Sequence, residues 1–122
     1  VGEYSALGHH PEGRPWQVGI QDPRNADGVV DLVDLMDQCI ATSGAYGGRF
    51  GDSGLNHIID PRTGRSPERY LSVSVRHASA TLADGLSTAF SFMSESEIAA
   101  AARRVGGVSA ILILTDGTRT RL

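Results

Sequence analysis

Asp84 and Thr88 stand four positions apart, a spacing that on an α-helix puts a carboxylate and a hydroxyl on one face about a turn apart. Two such hard oxygens can converge on a hard cation such as Mg2+, with water or a substrate phosphate completing the shell. The same spacing equally suits a solvated Asp and a Thr bonded to the carbonyl behind it. Ala83, Gly85, Ser87 and Ala89 around them are all small, which lets another group approach this helix closely. His57 precedes an apolar pair and a sharp turn, where a neutral imidazole serves either as a general base or as a hydrogen-bonded structural residue. Within that turn, Asp60 before Pro61 is ordinary turn chemistry, its carboxylate bonded to nearby amides, and Arg62 and Arg65 either hold phosphate or stay solvated. His9 and His10 fall in an exposed turn, and Cys39 reads as a buried bystander. Ser43 and Gly44 lack the Gly-x-Ser-x-Gly pattern of a nucleophile elbow.

These residues need a scaffold, and the hydrophobic pattern supplies one. Val1–Leu7 reads as a strand, His9–Pro15 as a turn, and Trp16, Val18 and Ile20 as the alternating positions of a second strand, the two forming a hairpin. Gln21–Gly28 is a polar loop, and Val30–Met36 is read as a strand partnered by the segment running on to Ile40. Ser43–Gly54 has five glycines in twelve residues, which argues against a helix or a central strand and for a disordered loop or one admitting a ligand to the backbone. Tyr70–Arg76 alternates as a strand. At Ser79 the period becomes helical, with Leu82, Leu86, Ala89, Phe90 and Met93 on one stripe, so a helix is predicted over Ser79–Met93. A second helix follows a capping box at Ser94–Glu97, carries Arg103 and Arg104 in its last turn and stops at Gly106-Gly107. Ala110–Leu114, Asp116-Gly117 and Thr118–Leu122 predict a terminal hairpin with a two-residue primed turn. The expected fold is α+β, a mostly antiparallel sheet of hairpins packed with two consecutive helices, as a single domain over 1–122.

Composition narrows the function. The 122 residues are 40% hydrophobic, enough for one domain to bury a core without disulfides or structural metal. All 11 basic residues are arginine, which excludes a Walker-type phosphate lysine and a Schiff-base lysine within this chain. A formal net charge of -3 offers no overall field for nucleic acid or an acidic membrane. The apolar run at Ala110–Leu114 is far short of the roughly 20 residues that span a bilayer, so no membrane span and a soluble chain are expected. The start at Val1, directly in a patterned segment, reads as a piece of something longer.

Taken in order, Thr42-Ser43-Gly44-x-Tyr46, His57-Ile58-Ile59-Asp60-Pro61-Arg62-Thr63-Gly64 and Ala83-Asp84-Gly85-Leu86-Ser87-Thr88-Ala89 resemble the ApbE family of FAD:protein FMN transferases. The segments Gly2–Gly8, Gly13-Arg14-Pro15-Trp16 and Gly19-Ile20-x-Asp22-Pro23 fit the same family, so the resemblance spans the chain. Family proteins are much longer, which implies that this is a C-terminal portion and that an N-terminal part supplies much of the FAD pocket and a further metal ligand. The resemblance implies Mg2+ held by Asp84 and Thr88 against the diphosphate of FAD, and His57 as the catalytic base toward an acceptor hydroxyl. It also implies that Ser43, Gly44 and Tyr46 border the flavin nucleotide. The implied reaction transfers FMN from FAD to a threonine of a target flavoprotein and releases AMP, in a periplasmic or periplasm-facing, membrane-anchored setting. Two rivals share the motifs: a non-catalytic flavin- or nucleotide-binding module, and an FAD pyrophosphatase giving FMN and AMP with water as acceptor. The chain departs from the family pattern at Val1-Gly2-Glu3, where a glycine pair before an acidic or amide residue is frequent, and at Gly85, where Ala is usual.

Overall fold

In the computed structural model, which describes residues 2–122, the chain forms three layers. The middle layer is a five-stranded antiparallel sheet of β1 (Gly2–Ala6), β4 (Gln38–Gly44), β7 (Tyr70–His77), β8 (Ser109–Leu114) and β9 (Arg119–Arg121), side by side in that order. Helices α1 (Ala80–Phe90) and α2 (Glu95–Val105) supply one outer layer, and the hairpin of β2 (Trp16–Asp22) and β3 (Asn25–Leu35) the other. A short pair, β5 (Arg49–Phe50) and β6 (Leu55–Asn56), lies in the connection from β4 to β7.

Alternation along each strand explains the layering. On β8, Ala110 and Leu112 join Val73, Val75, Phe90 and Ile98 on the helix side, while Ile111 and Ile113 join Ile40, Ile20, Val33 and Leu35 on the hairpin side. A central strand buried on both faces is a continuous apolar run, as Ala110–Leu114 is. Phe90 and Ile98 are fully buried, and burial of such side chains contributes about 1.5–3 kcal/mol each.

Several expectations are corrected. β1 pairs with β4, and β2 with β3, so the first two strands do not form a hairpin with each other. β3 and β4 are likewise unpaired, although only Met36 and Asp37 separate them. The reason is burial: β4 carries Ile40 and Ala41, adjacent and both buried, and must lie inside the stack. β3 buries only Val33 and Leu35 while Leu32 and Asp34 face out, so it suits an outer layer. The predicted loop 21–28 is mostly strand, closed by a tight turn at Pro23-Arg24 in which the Arg24 amide donates to Asp22 Oδ1 at 2.9 Å. Ser43 and Gly44, expected outside any central strand, end β4 and pair with Val73 and Ser72 of β7.

Helix α1 starts within one residue of the expected Ser79, which caps it instead of opening it: Ser79 Oγ accepts from the Leu82 amide at 3.3 Å. It stops at Phe90, short of Met93, because the amides of Ser91, Phe92 and Met93 bond three residues back and tighten the chain out of the helix. The capping box of α2 is complete: the Ser94 amide donates to Glu97 Oε2 at 2.7 Å and the Glu97 amide to Ser94 Oγ at 3.4 Å. The last turn is a three-residue connection closed by a left-handed Gly117, with Asp116 at negative φ, and not the two-residue primed turn. The hairpin layer is fastened to this end by Arg24, which donates to the Thr115 carbonyl at 2.7 Å, and by Arg119, which donates to the Val30 carbonyl at 2.7 Å. His10 is half-buried, its ring edge-on to Trp16 at 5.0 Å, and Cys39 is half-buried beside Ser5. Among the described residues, no helix is long and apolar enough to cross a membrane.

Candidate functional site

Helix α1 presents Asp84, Gly85 and Thr88 to solvent and turns Ala83 and Ser87 against the sheet. The small residues around Asp84 therefore divide by role. Ala83 and Ser87 let α1 approach β4, whereas a side chain at Gly85 would meet no atom within 4 Å and leaves room outside the helix. Thr88 does not bond the carbonyl behind it. Its hydroxyl lies 3.1 Å from Ser43 Oγ, which is itself 2.7 Å from Ser87 Oγ, and Ser87 donates to the Asp84 carbonyl at 2.9 Å. Ser43 faces α1 because it pairs with Val73, whose side chain is in the helix-side core.

Gly44 and Tyr46 belong to the other face of the same strand end. The Tyr46 ring covers Gly44 so closely that a Cβ there would overlap it, which is a close approach only glycine permits. Tyr46 also borders a cavity of about 330 Å³ between β1, β4 and the hairpin layer, with Gly2, Tyr4, Thr42, Gln21 and Asp27 among its walls. Partial burial pushes the Tyr46 phenol above its ordinary value. The candidate cofactor residues are thus split: Ser43 joins Asp84 and Thr88 on the helix side, Tyr46 lines the cavity, and Gly44 lies against the Tyr46 ring.

His57 follows β6 on a pinned loop. Its amide donates to the Gly48 carbonyl at 3.1 Å, and a Cβ at Gly48 would stand 3.3 Å from His57 Nδ1, so the ring lies against bare backbone. The imidazole is exposed, while the neighbouring Asn56 is buried and holds the loop: Asn56 Oδ1 accepts from the Ile58 amide, and the Asn56 amide donates to Ser66 Oγ, both at 2.8 Å. Asp60 accepts from the Arg62 amide at 2.9 Å and takes a two-point contact from the Arg62 guanidinium at 3.0 and 2.9 Å. That side-chain contact first, and the amide second, hold the Asp60 carboxyl below its ordinary value. Arg62 is therefore engaged within its own turn. Among the described residues no hydrogen bond links the His57 ring to Asp84 or Thr88.

Asp84 and Thr88 offer a hard carboxylate and a hard hydroxyl, donors that suit Mg2+. Among the described residues no group of three or more His, Cys, Asp or Glu gathers to hold a metal, so a cation here takes only part of its shell from acidic or imidazole groups of this chain. Two contributors went unread in the sequence. Ser87 is fully buried and links α1 to β4, and Asn56 with Ser66 fixes the His57 loop. The signal for Ser87 was a small polar residue on the buried stripe of α1 directly before Thr88.

Comparison with known proteins follows this geometry. The model of the ApbE family matches residues 1–112. An FAD:protein FMN transferase of Salmonella typhimurium is 34% identical over 95% of this chain and 34% of its own length, and one of Rhodobacter capsulatus is 39% identical over 94% and 22%. The crystal structure of the ApbE protein of Thermotoga maritima superposes with a TM-score of 0.85 at 32% identity, covering 98% of this chain and 40% of that one. The flavin transferase ApbE of Vibrio cholerae gives 0.74 at 34% identity, over 99% and 39%. The chain spans about a third or less of the length of these curated relatives, 34% and 22% in the two cases.

Proposed function

The chain belongs to the ApbE family, and we propose that it is the C-terminal portion of a Mg2+-dependent transferase that moves FMN from FAD to a threonine of a target flavoprotein and releases AMP. The observation that carries this reading is the shared outer face of Asp84 and Thr88 on α1, with Ser43 of β4 bonded to Thr88 beneath it. The printed names of the relatives, FAD:protein FMN transferase, supply the reaction class.

Asp84 and Thr88 would hold Mg2+, which when bound draws negative charge off the diphosphate of FAD. The other roles fall to this chain. The exposed His57 imidazole takes the proton of the acceptor threonine as its oxygen bonds to the FMN phosphorus. The bond from that phosphorus to the bridging oxygen breaks, and AMP leaves with that oxygen. Gly48, lacking a side chain against the ring, leaves His57 free to meet an incoming hydroxyl. Tyr46, its ring against Gly44, borders the cavity on the other face of β4, which gives the nucleotide an aromatic wall. A periplasm-facing location goes with this reading and is tested by cell fractionation.

The test mixes the longer protein in which this reading places the chain with FAD, Mg2+ and a threonine-bearing flavoprotein, and follows AMP and covalent flavin on the acceptor. Both should appear together and stop on chelation of Mg2+. Free FMN without acceptor would instead indicate a pyrophosphatase, and flavin binding with neither product would indicate a binding module.

A further inference from the structure

We infer that Ser87 and Ser43 are positioning residues that fix the direction of the Thr88 hydroxyl, so that its lone pairs face the outer side of α1. The inference rests on the reading of Asp84 and Thr88 as ligands of Mg2+. It follows from counting protons. Each hydroxyl has one proton to give and two lone pairs to accept with. The Asp84 carbonyl has no proton, so the 2.9 Å contact with it is a hydrogen bond only if Ser87 donates. Ser87 has then spent its proton, and across 2.7 Å Ser43 must be the donor to Ser87 Oγ. Ser43 is spent in turn, and across 3.1 Å Thr88 must donate to Ser43 Oγ.

The chain of donation therefore runs from Thr88 to Ser43 to Ser87 to the Asp84 backbone. Its inner end is fully buried: Ser87 has no exposed surface, and its own backbone carbonyl is occupied by the Ser91 hydroxyl at 3.0 Å. Its far end, Thr88, is exposed. With its proton committed inward, Thr88 presents acceptor lone pairs outward, the state a hydroxyl needs to bind a cation. Groups behind metal ligands that set their orientation commonly change metal affinity 10- to 100-fold when removed. Removing the Ser87 hydroxyl frees the Ser43 proton to turn on Thr88, and the Thr88 proton is then driven outward, toward the cation.

The test titrates the longer protein in which this reading places the chain with Mg2+ alone and reads the amide resonances of Asp84 and Thr88. Wild type should saturate, and Asp84→Asn should not. Ser87→Ala and Ser43→Ala should keep the remaining amide spectrum and need about tenfold more Mg2+. Ser87→Cys, which retains a weak donor and acceptor, should fall between. Without metal, the Thr88 hydroxyl proton should lie against Ser43 in wild type and lose that position in Ser87→Ala. Folded Ser87→Ala or Ser43→Ala with wild-type Mg2+ saturation overturns the inference while Asp84→Asn still upholds the metal reading. Should Ser87→Ala not fold, Ser43→Ala, at a half-buried position, decides alone. A wild-type longer protein blind to Mg2+, or an Asp84→Asn variant of it that binds normally, overturns the metal reading and this inference with it.

Discussion

Arg121 closes a two-point ion pair on Asp31 from a different layer of the fold, its Nη2 2.5 Å from Oδ1 and its Nε 3.0 Å from Oδ2. Burial alone would raise the Asp31 carboxyl. The hydrogen bonds from Arg121 and the Leu32 amide, with the charges of Arg121 and Arg119, outweigh it and hold the group below its ordinary value of 3.8. A carboxyl depressed in the folded state stabilises fully above its unfolded value, and that contribution is lost as pH falls through the folded value. Asp31→Asn should therefore lower stability by about 1–2 kcal/mol at neutral pH, less than a fully buried pair because the arginine side chains are 57% and 48% exposed. Urea melts should show the gap to wild type closing as pH falls below about 4. A gap independent of pH would mean that shape, and not charge, ties the hairpin to β9.

In the longer protein of the proposed reading, Asp84→Ala should abolish Mg2+-dependent FMN transfer. Asp84 is exposed, and among the described residues its side chain has no hydrogen-bond partner, so stability should change by no more than about 0.5 kcal/mol. Product assays beside thermal melts check both parts, and a variant with normal Mg2+-dependent transfer refutes the metal role.

His57→Ala should spare FAD binding and slow transfer by roughly 10² to 10⁴, the usual contribution of a general base. Single-turnover assays with saturating FAD read this directly. Wild-type turnover would leave His57 a structural member of its loop.

Gly44→Ala should displace Tyr46. The backbone at Gly44 is extended, φ -151°, so no backbone strain is involved and the effect is steric overlap with the ring. Overpacking of this kind costs about 1–3 kcal/mol. FAD affinity should fall with stability, while Mg2+ shifts at Asp84 should persist, since α1 lies on the opposite face of β4.

The legible parts of the sequence were those governed by local physics. The capping box at Ser94, the helical period that begins at Ser79, the alternation of Tyr70–Arg76 and the Asp60 turn each depend on neighbours within a few residues, and each is present. Strand pairing was not local. β1 finds β4 across more than thirty positions, and the pairing of Gly2 with Thr42 leaves no mark in the stretch between them. The chemistry divides in the same way. Asp84 and Thr88 were visible as a spacing, but the Ser43 to Ser87 contact joins positions 44 apart and needs the β4 and α1 packing to exist.

The strand order has a consequence for how the chain acquires its structure. β8 and β9 pair across a short turn, whereas β1 with β4, β4 with β7 and β7 with β8 all join positions far apart in the chain. Closing distant pairs costs chain entropy before any contact rewards it. The two helices and the β8–β9 hairpin, whose contacts are local, are thus the natural first elements. Ser43 stands on β4 and Thr88 on α1, so the Thr88 hydroxyl gains its fixed direction only once strand and helix have packed together.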